Sequence, residues 1–160
     1  MTSGWRIVKE RFAAKAFDGE GARLYGGRWN SPGRPVVYLG CTPAIAALEI
    51  LAHNARLNLL ETSYVIVEAR VPDDAMLDLG PAGLPEGWND PADPGAAARV
   101  GDAWLDSRAS LALRVPSAVL PLEFNLVLNV GHPRMGEVEV GEPLPFRFDP
   151  RLLGPQVANG

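Results

Sequence analysis

Three side chains between residues 26 and 53 have the chemistry to act on one ligand: Arg28, Tyr38 and Glu49. The glycine pair Gly26-Gly27 delivers Arg28, Trp29 and Asn30 in a single turn. A short apolar strand, Val36-Val37-Tyr38-Leu39-Gly40, follows, and then a helix that carries Glu49 and His53. Arginine offers a planar fork suited to phosphate or carboxylate. Tyrosine joins a ring face to a hydroxyl, and a carboxylate in a water-poor cleft offsets positive charge that develops beside it.

The elements that must position these groups can be read from their punctuation. Cys41 to Pro43 make the turn after the strand. Thr42 has the side chain of an N-cap, and Pro43 suits the first helical position, where its missing N–H is no loss. The helix is therefore expected from about residue 43, with Ile45, Leu48 and Ala52 as its buried stripe and Glu49 on the edge of that stripe. A partly buried carboxylate must be paired, protonated or turned to a ligand cleft. The residues alone leave two readings open, a structural ion pair with Arg28 and a ligand site.

Composition narrows the classes. The chain has 160 residues, 47% of them hydrophobic and 21% charged, which fits one soluble domain with a sizeable core. No apolar run approaches the roughly 20 residues of a membrane helix, and the first residues, Met1-Thr2-Ser3-Gly4-Trp5-Arg6, lack the apolar core of a signal peptide. A cytoplasmic protein without membrane contact is the expectation. The net charge of −4 argues against direct nucleic-acid binding, which needs clustered cations. Of 15 basic residues only Lys9 and Lys15 are lysines; the rest are arginines. The single cysteine, Cys41, makes no internal disulfide, and two histidines, His53 and His132, give no metal-ligand spacing. Cys41 with His53 is one reading as a nucleophilic pair, and a small residue in a turn is the other, favoured one.

Along the chain, residues 5–12 read as a first strand with a short continuation, with Arg6 beside Trp5. Residues 18–34 hold too many glycines for a helix and suit a loop that approaches a ligand closely. They match neither a P-loop nor a dinucleotide fingerprint, which excludes a Rossmann reading. Residues 63–71 alternate as a strand with Val65, Val67, Ala69 and Val71 on one face. Residues 72–95 form a long loop rich in Pro, Gly and Asp, either a lid or an insertion. Residues 96–107 are expected to be a helix that buries Ala97, Val100, Trp104 and Leu105. The row Leu111, Leu113, Val115 then puts Ser117 on an inward face, where a small hydroxyl suggests a buried partner. Residues 123–133 read as a strand bracketed by Asn125 and Asn129. Val138, Val140, Phe146 and Phe148 fit a last strand or hairpin. Residues 1–153 are taken as one domain and residues 154–160 as a loose tail. The order of elements predicts an α+β fold around a mixed, mostly antiparallel sheet with a few helices.

One family gathers these motifs in this order. The run Gly21-Ala22, Gly26-Gly27-Arg28-Trp29-Asn30, Gly33, Val37-Tyr38 and Ala47-x-Glu49, then Val115-Pro116-Ser117-Ala118, Asn125 and His132-Pro133, resembles the RES domain, over roughly residues 5–133. The family is named for its arginine, glutamate and serine and supplies toxins of a bacterial toxin–antitoxin class. The resemblance implies a fold similar to ADP-ribosyltransferases and NAD as a substrate that is consumed, with no further cofactor. It implies Arg28, Tyr38 and Glu49 as catalytic residues and Arg6, Arg28, Tyr38, Ser117 and Asn125 as substrate-binding residues. It also implies an antitoxin partner with a helix-turn-helix part; a homodimer stays open.

On that resemblance the expected reaction is cleavage of the nicotinamide–ribose bond, which passes through an oxocarbenium-like ribose. Water as acceptor would make the protein a glycohydrolase, phosphate a phosphorylase, and a protein side chain an ADP-ribosyltransferase. A non-catalytic domain that binds a nucleotide or a partner is the rival from another class; it predicts loss of a key side chain, and Arg28, Tyr38, Glu49 and Ser117 are all present.

Overall fold

The structure is a computed structural model that describes residues 1–53, 59, 61–93 and 95–154. The tail expected at residues 154–160 lies, beyond Gly154, outside the described residues. Among the described residues eight strands form one sheet: β1 (Thr2–Lys9), β2 (Val36–Gly40), β3 (Tyr64–Val71), β4 (Met76–Asp78), β5 (Ala112–Pro116), β6 (Phe124–Asn129), β7 (Glu139–Val140) and β8 (Leu144–Phe146). Their order is β4-β5-β6-β2-β1-β3-β7, with β8 also on β3. Every pairing is antiparallel except β4 with β5. This is the mixed, mostly antiparallel α+β arrangement expected.

The sheet has a seam. β1 pairs with β3 along its whole length and β2 pairs with β6 along its whole length, but β1 and β2 share only the pair Trp5 and Gly40. Two half-sheets are thus hinged at one residue pair, and beyond it backbone groups of both strands need partners from elsewhere.

Helix α2 (Pro43–His53) packs on both β1 and β2, the strands that meet at the seam. Its cap is the one the sequence indicates, since the Thr42 hydroxyl accepts the Ile45 N–H at 3.2 Å. Its buried face is shifted from expectation: Ile45 and Ala46 are buried, whereas Leu48 is half-buried and Ala52 is exposed. The first turn presses on the strand below, where a Cβ at Gly40 would stand 2.6 Å from the Ala46 nitrogen. That close approach buries the first turn, and Ala47, Ile50 and Leu51 continue the packed face against the cluster of Ile7, Ala46 and Tyr64, which leaves Ala52 on the solvent side.

Other expectations need correction. The glycine-rich stretch contains a short helix, α1 (Glu20–Tyr25), because Gly19 and Gly26 flank it with φ of 73° and 71°. Positive φ at these glycines ends the helix instead of preventing it. The first strand begins three residues earlier than expected and gives way to a 3-10 turn at Glu10–Lys15. The long loop holds an edge strand, β4, added parallel to β5.

Helix α3 (Gly95–Ser107) buries Ala97 and Trp104, as read, but also Gly101, while Val100 and Leu105 are only partly buried. The alternation of β3 is as expected, with Val65, Val67, Ala69 and Val71 buried. β7 and β8 pair one after the other with β3, so of the two forms expected near Val138 to Phe148 the segment is an interrupted last strand and not a hairpin.

Candidate functional site

Arg28 stands in a turn fixed on several sides. Gly27 and Asn30 bridge to each other. The buried Asn30 amide donates to the carbonyls of Ala22, Ser31 and Arg34 at 2.9, 3.2 and 3.1 Å. Its Oδ1 accepts the Tyr38 hydroxyl at 2.6 Å, and the same hydroxyl accepts the Trp29 N–H at 3.0 Å. Ser31 ties the end of the turn to α3, its N–H and hydroxyl donating to the Asp102 carboxylate at 3.0 and 2.5 Å. The turn is therefore held before any ligand arrives. Burial pushes the Tyr38 phenol well above the ordinary tyrosine range, against a smaller opposite effect of the Trp29 N–H, so the group stays a neutral hydrogen-bonding hydroxyl.

Glu49 is held just as definitely. Oε1 accepts the Ser117 hydroxyl at 2.7 Å and the Asn125 amide at 2.8 Å. Ser117 is 0% exposed, and its oxygen accepts the backbone N–H of Val119 and of Leu120, each at 3.2 Å. With both lone pairs occupied, the one hydroxyl proton is directed to Glu49. Oε2 has no such donor among the described residues. Its neighbour is His53 Nδ1 at 4.0 Å, and that nitrogen lies 2.7 Å from the Glu49 carbonyl. A carbonyl only accepts, so Nδ1 carries the hydrogen. The Glu49 side chain keeps 23% of its surface exposed, leaving Oε2 a path to a ligand.

Strand β2 joins these two groups. Asn125 lies opposite Gly40 and Val127 opposite Tyr38, and residues 38 and 40 share a face of the strand, about 7 Å apart at the usual rise. The Arg28 charge reaches the Tyr38 hydroxyl, where it is a minor influence beside burial. Arg6 enters from β1: past the single pair at the seam, its Nη1 donates to the Tyr38 carbonyl at 3.1 Å. Its Nε is buried without a partner among the described residues. Burial holds the Arg6 guanidinium below the usual arginine range, opposed by Asp18. A buried cation with an unused donor, at the opening between half-sheets, is costly to leave unanswered.

All the residues expected at the site thus flank one strand: Glu49, Ser117 and Asn125 at its Gly40 end, Arg6, Arg28 and Tyr38 at and before it. The ion pair between Arg28 and Glu49 is not among the described contacts; Glu49 is satisfied by neutral donors and Arg28 donates to the Trp88 carbonyl at 2.8 Å. The pairing of Cys41 with His53 also fails. Cys41 packs at the core edge, where burial raises its thiol above the ordinary range while Arg114 opposes the shift. No group of metal-ligating side chains occurs among the described residues, and no described helix is long and apolar enough to cross a membrane.

The RES domain pattern matches residues 3–149. The chain belongs to the RES domain family. Relatives include a protein named Toxin Res from Yersinia enterocolitica (serotype O:8 / biotype 1B), 36% identical over 149 residues and covering 92% of this chain and 97% of that protein. Another, from Sphingobium, is named Prs ADP-ribosylating toxin and is 34% identical over 159 residues, covering 95% and 97%. Among solved structures the MbcT–MbcA toxin–antitoxin complex of M. tuberculosis contains a chain that superposes with a TM-score of 0.76 at 26% identity, covering 91% of this chain and 84% of that one.

For this RES domain, sequence reasoning missed two parts of the site. Asn30 was visible in the motif, but its part as the hub of the turn depends on backbone carbonyls that carry no residue signature. Trp88 lies in the long loop, and a lone aromatic among Pro, Gly and Asp was the one available signal.

Proposed function

We propose that this RES domain is the toxin of a toxin–antitoxin pair and cleaves the bond between nicotinamide and ribose in NAD. The observation that carries the reading is the Glu49 carboxylate, fixed at Oε1 by Ser117 and Asn125 with Oε2 left for a ligand. Oε2 accepts a hydrogen bond from a ribose hydroxyl and offsets the positive charge that develops on the ribose. The C–N bond breaks with its electron pair passing to the ring nitrogen, so nicotinamide leaves neutral and needs no strong acid. The acceptor oxygen then bonds to the ribose carbon and gives up its proton. Arg28 and Arg6 hold the pyrophosphate, and the Tyr38 ring positions the nicotinamide end.

Water or phosphate as acceptor makes this NAD degradation. A second reading, transfer to a protein side chain, is favoured by the name of the Sphingobium relative. A domain that only binds would not need the carboxylate oriented by two donors, Asn125 and the buried Ser117. The partner is an antitoxin with a helix-turn-helix part, which covers Arg28 and Glu49.

Expression in bacteria separates the readings. Growth arrest with a fall in cellular NAD, both relieved by Glu49→Ala, is the expected result. Arrest with steady NAD would favour protein modification, and no arrest with unchanged NAD would remove the toxin reading.

A further inference from the structure

The Arg28 guanidinium has one protein acceptor among the described contacts, and it is a neutral one. Nη1 donates to the Trp88 carbonyl at 2.8 Å, while the other N–H donors of the fork make no side-chain or backbone bond among the described residues. A carboxylate in that place would orient the arginine and also cancel its charge. A carbonyl orients it and leaves the charge for an anion.

The carbonyl is itself held in place. The Trp88 ring stacks on Trp29 with centroids 5.9 Å apart and planes 29° apart. Trp29 is a buried core residue next in sequence to Arg28, and both rings belong to one apolar cluster with Val36, Trp104 and Val115. Trp88 N–H donates to the Pro85 carbonyl at 3.2 Å and Asp90 N–H to the Gly87 carbonyl at 3.0 Å, folding the loop into consecutive turns around the ring. The loop has two fastenings to the Arg28 turn: an aromatic stack that anchors it and a carbonyl that aims the arginine.

We propose that Trp88 is a positioning residue for the substrate's phosphate groups, acting through Arg28: its ring docks the loop of residues 79–93 on Trp29 so that its carbonyl sets the direction of the Arg28 fork. The ring supplies no group to the reacting atoms. Its loss frees the carbonyl, and the arginine then spends binding energy on being ordered when the anion arrives. The inference about catalysis rests on the NAD reading above; the orientation of Arg28 does not.

The test uses the full chain, with Trp88→Ala and the conservative Trp88→Phe. Side-chain nitrogen relaxation of the Arg28 Nε–H group is read without substrate, and KM and kcat for NAD are read beside it. Trp88→Ala is expected to mobilise the Arg28 fork and to raise KM about tenfold with kcat within about twofold, because a phosphate clamp acts on ground and transition states alike. Trp88→Phe, which keeps a ring on Trp29, is expected to restore most of both. An Arg28 fork as ordered in Trp88→Ala as in the wild type would overturn the proposal whatever the enzyme does. So would mobility that phenylalanine fails to reverse, or a lower kcat at unchanged KM, the mark of a smaller folded fraction. Failure of the wild type to turn over NAD would count against the proposed function, and the relaxation measurement would still decide on Trp88.

Discussion

The Ser117 hydroxyl gives its only proton to Oε1 of Glu49, because two backbone N–H groups occupy the rest of its oxygen. The pair joins the end of β5 to α2 across the sheet, and Asn125 of β6 completes it. Glu49→Gln keeps the size of the side chain and removes the charge that faces the developing cation. We expect folding and NAD binding within a few fold of wild type and turnover lower by at least about a hundredfold. Ser117→Ala should lower kcat less, since Asn125 still holds Oε1. Thermal unfolding beside steady-state kinetics checks both, and unchanged turnover in Glu49→Gln would remove the residue from the mechanism.

Tyr38→Phe leaves the ring and deletes the hydroxyl that joins Asn30 to Trp29. Asn30 Oδ1 is then buried without that donor, at a cost of about 1–3 kcal/mol. The expected outcome is a lower unfolding temperature and a higher KM for NAD, since the loosened turn carries Arg28. A Tyr38→Phe protein with wild-type stability and KM would show that the hydroxyl does not hold the turn.

Cys41 tests the discarded nucleophile. Its folded thiol is held above the ordinary range by burial. At neutral pH the protonated form therefore dominates, and ionisation weakens the fold only as pH rises past the usual thiol range. Alkylation of the native protein near neutrality should be slower than that of a free thiol, and Cys41→Ser should keep activity within about twofold. Rapid alkylation with loss of turnover would reinstate a cysteine mechanism.

A site at Arg28 and Glu49 covered by the antitoxin would be shared with NAD. Two ligands of one site weaken each other reciprocally, so a non-hydrolysable NAD analogue should lower antitoxin affinity in a titration. Simultaneous binding with unaltered affinities would contradict occlusion while leaving the enzymatic reading intact.

Much of this site could be read from residue types. Thr42 and Pro43 announced the start of α2, the alternation of Val65, Val67, Ala69 and Val71 announced β3, and the row ending at Ser117 announced a buried hydroxyl. What stayed hidden depends on distances along the fold. The cap glycines Gly19 and Gly26 look the same in a loop as around a short helix. The parallel pairing of β4 with β5 joins segments far apart in sequence. The aim of Arg28 is set by a backbone carbonyl, which every residue possesses. Ala52 fits the apolar period yet is exposed, because α2 turns Ala46, Ala47, Ile50 and Leu51 to the core instead.

The central claim is that Glu49, anchored by Ser117 and Asn125, cleaves the nicotinamide–ribose bond. Incubating the purified chain with NAD, with and without phosphate, and identifying the products by mass tests it directly. The account predicts free nicotinamide in stoichiometric yield, together with ADP-ribose or its phosphorylated counterpart, and release at least about a hundredfold slower by Glu49→Gln. Intact NAD after prolonged incubation of the folded wild type, or equal nicotinamide release by wild type and Glu49→Gln, would contradict it.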